Sequence, residues 1–207
     1  MTLELVYFAN PMCSWCYGFH TGFAAALGTR IGAFSVTLAL GALREDTEPL
    51  RDAQKAYLRE AWTQVEAASG RPFAFDLLER HDLVYDTRPA SRAVAAVRSA
   101  APARALAYLG AVQTAFYRDA RDVTRADVLA AIAAEEQLEP AVVEAALDDP
   151  AGAAALAQEN AEVARLGVGG YPTVLALTRP KPRLVAHGFQ PAEAIAAALD
   201  ETLHAPA

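Results

Sequence analysis

From Leu3 to Phe8 the chain is rich in apolar, β-favouring residues, as expected of a strand buried on both faces, and Asn10-Pro11 interrupts it. A helix is expected to begin near Cys13. Its body runs through Phe19, Phe23 and Leu27, it stops around Gly28 to Gly32, and Phe34 to Leu40 follows as a second strand. If these two strands are parallel, the connection is a right-handed βαβ crossover. The first turn of the helix then lies at the carboxyl end of the first strand, where open α/β sheets carry their sites.

From about Pro49 to Leu147 the periodicity is helical and shows no convincing strand, with Gly70, Pro72, Pro89, Pro102 and Pro140 as punctuation. Five or six helices are expected there. Apolar spacing such as Ala105, Leu106, Leu109, Val112 and Phe116, then Val128, Leu129 and Ile132, suits a compact bundle. A further helix is predicted over Gly152 to Leu166, then a glycine-rich loop ending in Tyr171-Pro172. A hairpin of Thr173 to Leu177 with Leu184 to His187 follows, and a closing helix over Pro191 to Leu203. The order is βαβ, a helical block, then αββα. The fold class is therefore α/β: a thioredoxin-like core from residues 1–42 and 150–207, with an all-helical insertion over 43–149.

Composition narrows the function classes. With 207 residues, 54% hydrophobic, the chain can bury one full core, and no stretch is polar enough to suggest disorder. The 18 Lys and Arg against 25 Asp and Glu leave a formal charge of −7, which repels a phosphate backbone, so nucleic acid is not an expected partner. Neither is a membrane, since charged residues interrupt every Ala-rich stretch before about 20 apolar residues accumulate. The first residues carry no basic segment or cleavage site of an export signal, and a cytoplasmic location is expected.

In a reducing compartment a structural disulfide explains the two cysteines poorly. Cys13-Ser14-Trp15-Cys16 instead suits disulfide exchange, which needs one thiolate to attack and a second thiol to resolve the mixed disulfide. At a helix start, unpaired N–H groups and the helix dipole favour negative charge on the first cysteine. Cys13 is the expected nucleophile and Cys16, one turn further in, the expected resolving thiol. A zinc site would need about four ligands, and no second Cys or His pair stands at suitable spacing. Tyr17 occupies the place where covalent haem attachment requires histidine. An unreactive cysteine pair stays open, but a redox pair is favoured.

The stretch Phe8-Ala9-Asn10-Pro11-Met12-Cys13-Ser14-Trp15-Cys16-Tyr17-Gly18-Phe19 resembles the active-site segment of the DsbA-like proteins, closest to their cytoplasmic FrnE-like branch. The resemblance spans nearly the whole chain. It implies a thioredoxin core with a helical insertion, and a cis-proline loop beside the cysteines, for which Gly169-Gly170-Tyr171-Pro172-Thr173 is the match. Pro172 is thus expected to be cis, with the Tyr171 backbone facing the sulfurs and able to hold an extended substrate by strand-like hydrogen bonds. Asn10 stands where proteins of this kind commonly carry aspartate. It either tunes Cys16 or is simply a turn residue before proline, and the turn reading is favoured.

Trp15 is expected to offer apolar surface to substrate or to pack against the inserted helices. Phe19 and Phe23 read as core, and Tyr17 is the one aromatic of that helix considered for the site. His20 would lower the thiolate pKa if its imidazolium came near. Arg88-Pro89-Ala90-Ser91-Arg92 begins a helix whose position resembles a segment across the cleft in related proteins, although solvated charge explains it better. The expected activity is thiol-disulfide exchange on protein or peptide disulfides or on small thiols. No bound cofactor or metal is required, and glutathione is a candidate co-substrate. Two competing functions are a glutathione-dependent isomerase or transferase of the kappa or 2-hydroxychromene-2-carboxylate isomerase type, and a non-catalytic binding or chaperone module. The former typically has serine at the helix start, so Cys13 and Cys16 argue against it.

Overall fold

The computed structural model describes residues 2–204. The apolar opening forms β1 (Leu3–Ala9), the cysteine segment leads into α1 (Ser14–Gly28), and β2 (Phe34–Leu40) returns parallel to β1 in a register running from Leu3 opposite Phe34 to Ala9 opposite Leu40. Next come β3 (Glu45–Pro49), α2 (Asp52–Ser69), β4 (Val84–Asp86), α3 (Arg88–Ala100), α4 (Ala105–Tyr117), α5 (Ala126–Glu135) and α6 (Pro140–Asp148), with single 3₁₀ turns at Phe75–Glu79 and Pro102–Arg104. The chain closes with α7 (Pro150–Arg165), β5 (Thr173–Ala176), β6 (Arg183–His187) and α8 (Ala192–Leu203).

The main sheet has the order β2-β1-β5-β6, with β5 antiparallel to both of its neighbours. This is the thioredoxin-like arrangement expected from the element order, interrupted by a helical insertion. Burial on both faces of β1 follows from its central place, flanked by β2 and β5, and explains its nearly continuous apolar sequence.

The inserted region departs from expectation in one respect. β3 and β4 pair antiparallel, with Glu45 opposite Asp86 and Pro49 opposite Val84. The segment Glu-Asp-Thr-Glu-Pro carries no apolar alternation because most of it faces solvent, so its sequence gives no strand signal. The start of α7 also shifts. It begins at Pro150 rather than Gly152, because Asp149 caps it by accepting from the N–H groups of Ala151 and Gly152 at 2.9 Å each.

Two devices tie the inserted helices to the sheet. Gly18 on α1 lets α2 approach closely, since a Cβ there would lie 2.9 Å from Val65 Cγ1. The second is a half-buried ion pair: Arg98 of α3 grips Glu159 of α7 at 2.5 and 2.7 Å and donates to the Leu38 carbonyl, while Glu159 accepts from the Leu40 N–H. Those last two bonds satisfy backbone groups on the outer edge of β2. Beneath α1 an aromatic layer gathers Tyr17, Trp62, Phe73, Phe116 and Tyr117, with Tyr17 stacked on Tyr117 at 5.1 Å and Trp62 edge-on to Tyr117 at 5.2 Å. Each such contact adds about 0.5–1.5 kcal/mol beyond the area it buries.

Candidate active site

The turn after β1 is built by Asn10. Its Oδ1 accepts from the Met12 N–H at 2.9 Å and its Nδ2 donates to the Gly41 carbonyl at 2.8 Å, with a longer contact to Thr87 Oγ1 at 3.4 Å. Fully buried Asn10 therefore clamps the end of β1 to the end of β2, while its backbone acts on Cys16. The Asn10 carbonyl accepts from the Cys13 N–H at 3.1 Å, and the chain enters α1 with Cys13 as N-cap.

At that position Cys13 Sγ accepts from the Cys16 N–H at 3.4 Å, using one of the donors that a helix start leaves unpaired. The interaction of the Cys16 thiol with Cys13, together with the N–H groups of Cys16 and Trp15, holds the Cys13 thiol below the ordinary cysteine value against the opposing effect of burial. Cys16 moves the other way. It is completely enclosed, and burial, then its interaction with Cys13, pushes its thiol well above the ordinary value. Both cysteines are free thiols, and only Cys13 retains some exposure, at 7%.

The Tyr171-Pro172 bond is cis, and the Tyr171 carbonyl lies 3.6 Å from Cys13 Sγ, placed to accept from the thiol. The Tyr171 ring rests on Gly41, where a Cβ would come within 1.7 Å of its hydroxyl oxygen. Any side chain at position 41 would displace that ring. Tyr171, Gly170, Gly169 and Val168 line a groove of about 830 Å³ together with Cys13, Ser14 and Trp15, Ala42 to Asp46, Tyr57 and Leu58. Leu43 and Tyr57 are 44% and 67% exposed, so the groove offers apolar surface to a ligand.

Trp15 is half-buried and lines this groove. Its ring packs on Phe189, at 6.0 Å between ring centroids, and it shares the groove lining with Leu58, Ala61 and Trp62 of α2. Tyr17 is core: its hydroxyl donates to the Pro72 carbonyl at 2.9 Å and the Arg71 guanidinium covers its ring at 3.8 Å. His20 is turned to α4, where a Cβ on Gly110 would fall 2.2 Å from Nε2. Burial, and secondarily the Arg71 charge, drives its pKa down to about 4, so at neutral pH the ring is uncharged and acts on neither thiol. The expectation that His20 adjusts the thiolate is corrected accordingly. Arg88 and Arg92 lie outside the cysteine groove, on a separate cavity of about 670 Å³; Arg88 pairs with Asp86 and Glu45, while Arg92 caps the Ala146 and Asp149 carbonyls.

Several residues at the site escape sequence reasoning. The Tyr85 hydroxyl donates to the Met12 carbonyl at 2.8 Å, just ahead of the nucleophile position, and lies 3.1 Å from the Tyr117 hydroxyl. Because the Tyr85 proton goes to the carbonyl, Tyr117 must donate to Tyr85. Arg44 covers the Tyr85 ring at 5.1 Å and is paired with Asp46. Tyr7, on β1, is fully buried beside Cys16. None of these carries a local signal; Gly41, under the Tyr171 ring, does so only as a glycine at a strand end.

Among the described residues no cluster of three or more His, Cys, Asp or Glu side chains is arranged to hold a metal, and no helix is long and apolar enough to cross a membrane. Comparison with curated protein sequences finds no match. Three solved structures superpose over nearly their whole length, each at 26% identity. A candidate protein disulfide isomerase from Nitrosomonas europaea gives a TM-score of 0.87, covering 98% of both chains. The cytosolic disulfide reductase DsbM from Pseudomonas aeruginosa gives 0.81, covering 97% of this chain and 98% of that one. The same reductase with glutathione gives 0.80, covering 98% of this chain and 100% of that one. The sequence pattern of the DSBA-like thioredoxin domain matches residues 4–200, and the chain belongs to that family of thiol-disulfide oxidoreductases.

Proposed function

We propose that Cys13 is the attacking thiolate and Cys16 the resolving thiol in disulfide exchange on protein, peptide or small-thiol substrates held in the groove beside Trp15, Tyr171 and Pro172. The observation that carries this reading is the opposite shift of the two thiols, Cys13 down and Cys16 up, one helical turn apart. Cys13 thiolate attacks a substrate disulfide; one substrate sulfur leaves as thiolate and the other is joined to Cys13. Cys16, once deprotonated, attacks Cys13 Sγ, closing the Cys13–Cys16 disulfide and releasing the second substrate sulfur. The substrate gains two electrons and the enzyme loses them.

Glutathione is the proposed small co-substrate, supported by the glutathione complex of the similar reductase, and the cytosolic character of that protein supports a cytoplasmic location here. Residues 1–42 with 150–207 are proposed as the catalytic core and 43–149 as the insertion, which contributes Leu43 to Asp46, Tyr57 and Leu58 to the groove lining. The test is equilibration in glutathione mixtures with quantification of free thiols, using Cys13→Ser as control. A single reversible two-electron transition is expected, and its midpoint assigns direction: near about −270 mV a reductant, near about −120 mV an oxidant. Absence of a reversible Cys13–Cys16 disulfide would overturn the assignment.

A further inference from the structure

The resolving step requires Cys16 to become a thiolate inside a closed, apolar layer, and the groups facing it are few. From the helix start comes Cys13, from the turn after β1 the Asn10 backbone, from β1 Tyr7, from α4 Tyr117, and from the loop before β5 Tyr171; of these only the three phenols are side chains that could donate to it. Among the described residues no carboxylate, lysine, arginine or histidine acts on it.

Of the three phenols, two are committed elsewhere. Tyr117 donates to Tyr85, and the Tyr171 hydroxyl lies over Gly41. Tyr7 differs. Its position in the middle of β1, between Leu38 of β2 and Val174 of β5, is fixed by the sheet. Its ring is wedged against Phe19 at 5.8 Å and Phe23 at 5.2 Å, on the same face of α1 as Cys16 by the spacing 16, 19, 23. The hydroxyl is sealed from solvent, has no hydrogen-bond partner of ordinary geometry, and adjoins the Cys16 thiol. A buried O–H without an acceptor is costly and is rare in native interiors unless it serves a purpose. A thiolate at Cys16 is the acceptor within reach.

Resting on the Cys13/Cys16 assignment above, we propose that Tyr7 is a catalytic residue of the resolving step: its hydroxyl donates a hydrogen bond to the Cys16 thiolate as that sulfur attacks Cys13. The phenol keeps its proton throughout, in keeping with burial that holds its pKa well above 10. The Cys16 proton passes to solvent or to the departing substrate thiolate. As the new S–S bond forms, the negative charge leaves Cys16 and the hydrogen bond relaxes, so the contact is strongest while the charge is present.

The test uses the reduced full chain mixed with oxidised glutathione, quenched with acid at intervals and resolved by mass spectrometry into dithiol, glutathione adduct and intramolecular disulfide, over about pH 6 to 10 for wild type and Tyr7→Phe. The variant keeps the ring and deletes a hydroxyl that lacks a partner in the dithiol form, so folding should be preserved. Adduct formation should proceed at the wild-type rate. The pH midpoint of adduct resolution should rise by about one unit, because a hydrogen bond to a charged group is lost. At neutral pH resolution should slow about three-fold, a ten-fold loss of thiolate being partly offset by the greater nucleophilicity of a more basic sulfur. Biosynthetic replacement of tyrosine by 3-fluorotyrosine, which makes the phenol a stronger donor, should move that midpoint down in wild type and not in Tyr7→Phe. If both midpoints stay put while adduct forms and resolves normally, the role of Tyr7 is refuted and the exchange mechanism stands. If wild type forms no adduct at Cys13, the mechanism and this proposal fall together.

Discussion

The two ends of the Cys13-Ser14-Trp15-Cys16 turn present the same functional group to opposite surroundings. Cys13 lines the groove, with backbone N–H groups and the Cys16 thiol directed at its sulfur, and its pKa falls. Cys16 sits under α1 against β1 and the aromatic layer, where burial is the leading influence, and its pKa rises. Proximity to a helix N-terminus alone therefore does not make a cysteine acidic. What counts is whether the donors reach the sulfur before desolvation overtakes them.

The largest expected effect comes from separating the two ends. Cys16→Ser should still let Cys13 attack, but the mixed disulfide should persist, lowering turnover with a disulfide substrate by at least about 10³-fold. Acid-quenched mass spectrometry should find the substrate sulfur on Cys13 alone, and its appearance on Cys16 of a Cys13→Ser protein at a comparable rate would break the comparison. The signs of the shifts also predict how the stability of the reduced protein depends on pH. Cys13, with its pKa depressed on folding, adds stability that is lost as pH falls through its folded value. Cys16, with its pKa raised, removes stability as pH climbs past the ordinary thiol value of about 8.5. Urea titrations should thus show a fall that begins near about pH 8.5 and that Cys16→Ser diminishes.

The buried side of α1 allows a second test, because the same desolvation acts on His20, one turn beyond Cys16. A histidine whose pKa falls from 6.5 to about 4 on folding binds its proton more readily when unfolded. Its contribution to stability is therefore intact above pH 6.5, is lost progressively as pH drops, and levels off below about 4, a total swing of about 3 kcal/mol. His20→Asn should flatten the acid limb of the stability curve by that amount relative to wild type, whatever it does to stability at pH 7. Parallel curves for the two proteins would mean that α1 is not shielded as described.

How much of this was legible in sequence follows the same division between local pattern and distant contact. β1, α1 and β2 announce themselves through an apolar run, a helix body bounded by Asn10-Pro11 and Gly28, and a second apolar run, all decided within a few residues. The cysteine pair is legible for the same reason. The cis bond before Pro172 was expected only through resemblance, since nothing in Gly-Gly-Tyr-Pro-Thr dictates it locally. β3 was invisible because its residues are mostly solvated and its partner is a three-residue strand. Tyr85 reaches Met12 across 73 residues of sequence, and only the packing of the insertion against α1 brings them together. Tyr7 looked like any core aromatic of a central strand, and its missing hydrogen-bond partner emerges only in three dimensions.

The smallest expected effect probes the groove side. The Tyr85 hydroxyl holds the Met12 carbonyl and receives the Tyr117 proton, so Tyr85→Phe leaves one buried acceptor and one buried donor without that partner. The loss should be about 1–2 kcal/mol, toward the lower end of what unsatisfied buried groups cost, because the Met12–Cys13 peptide is also held through the Cys13 N–H, which donates to the Asn10 carbonyl. Urea denaturation measures the loss. Alkylation of Cys13 as a function of pH measures whether its thiolate is disturbed, and the midpoint should stay within a few tenths of wild type, since the donors that stabilise the sulfur belong to Cys16 and Trp15 and not to Tyr85. A shift as large as a full unit would mean that the phenol pair, rather than the first turn of α1, sets the acidity of Cys13, and the contrast between the two ends of the cysteine turn would then have to be traced to the insertion.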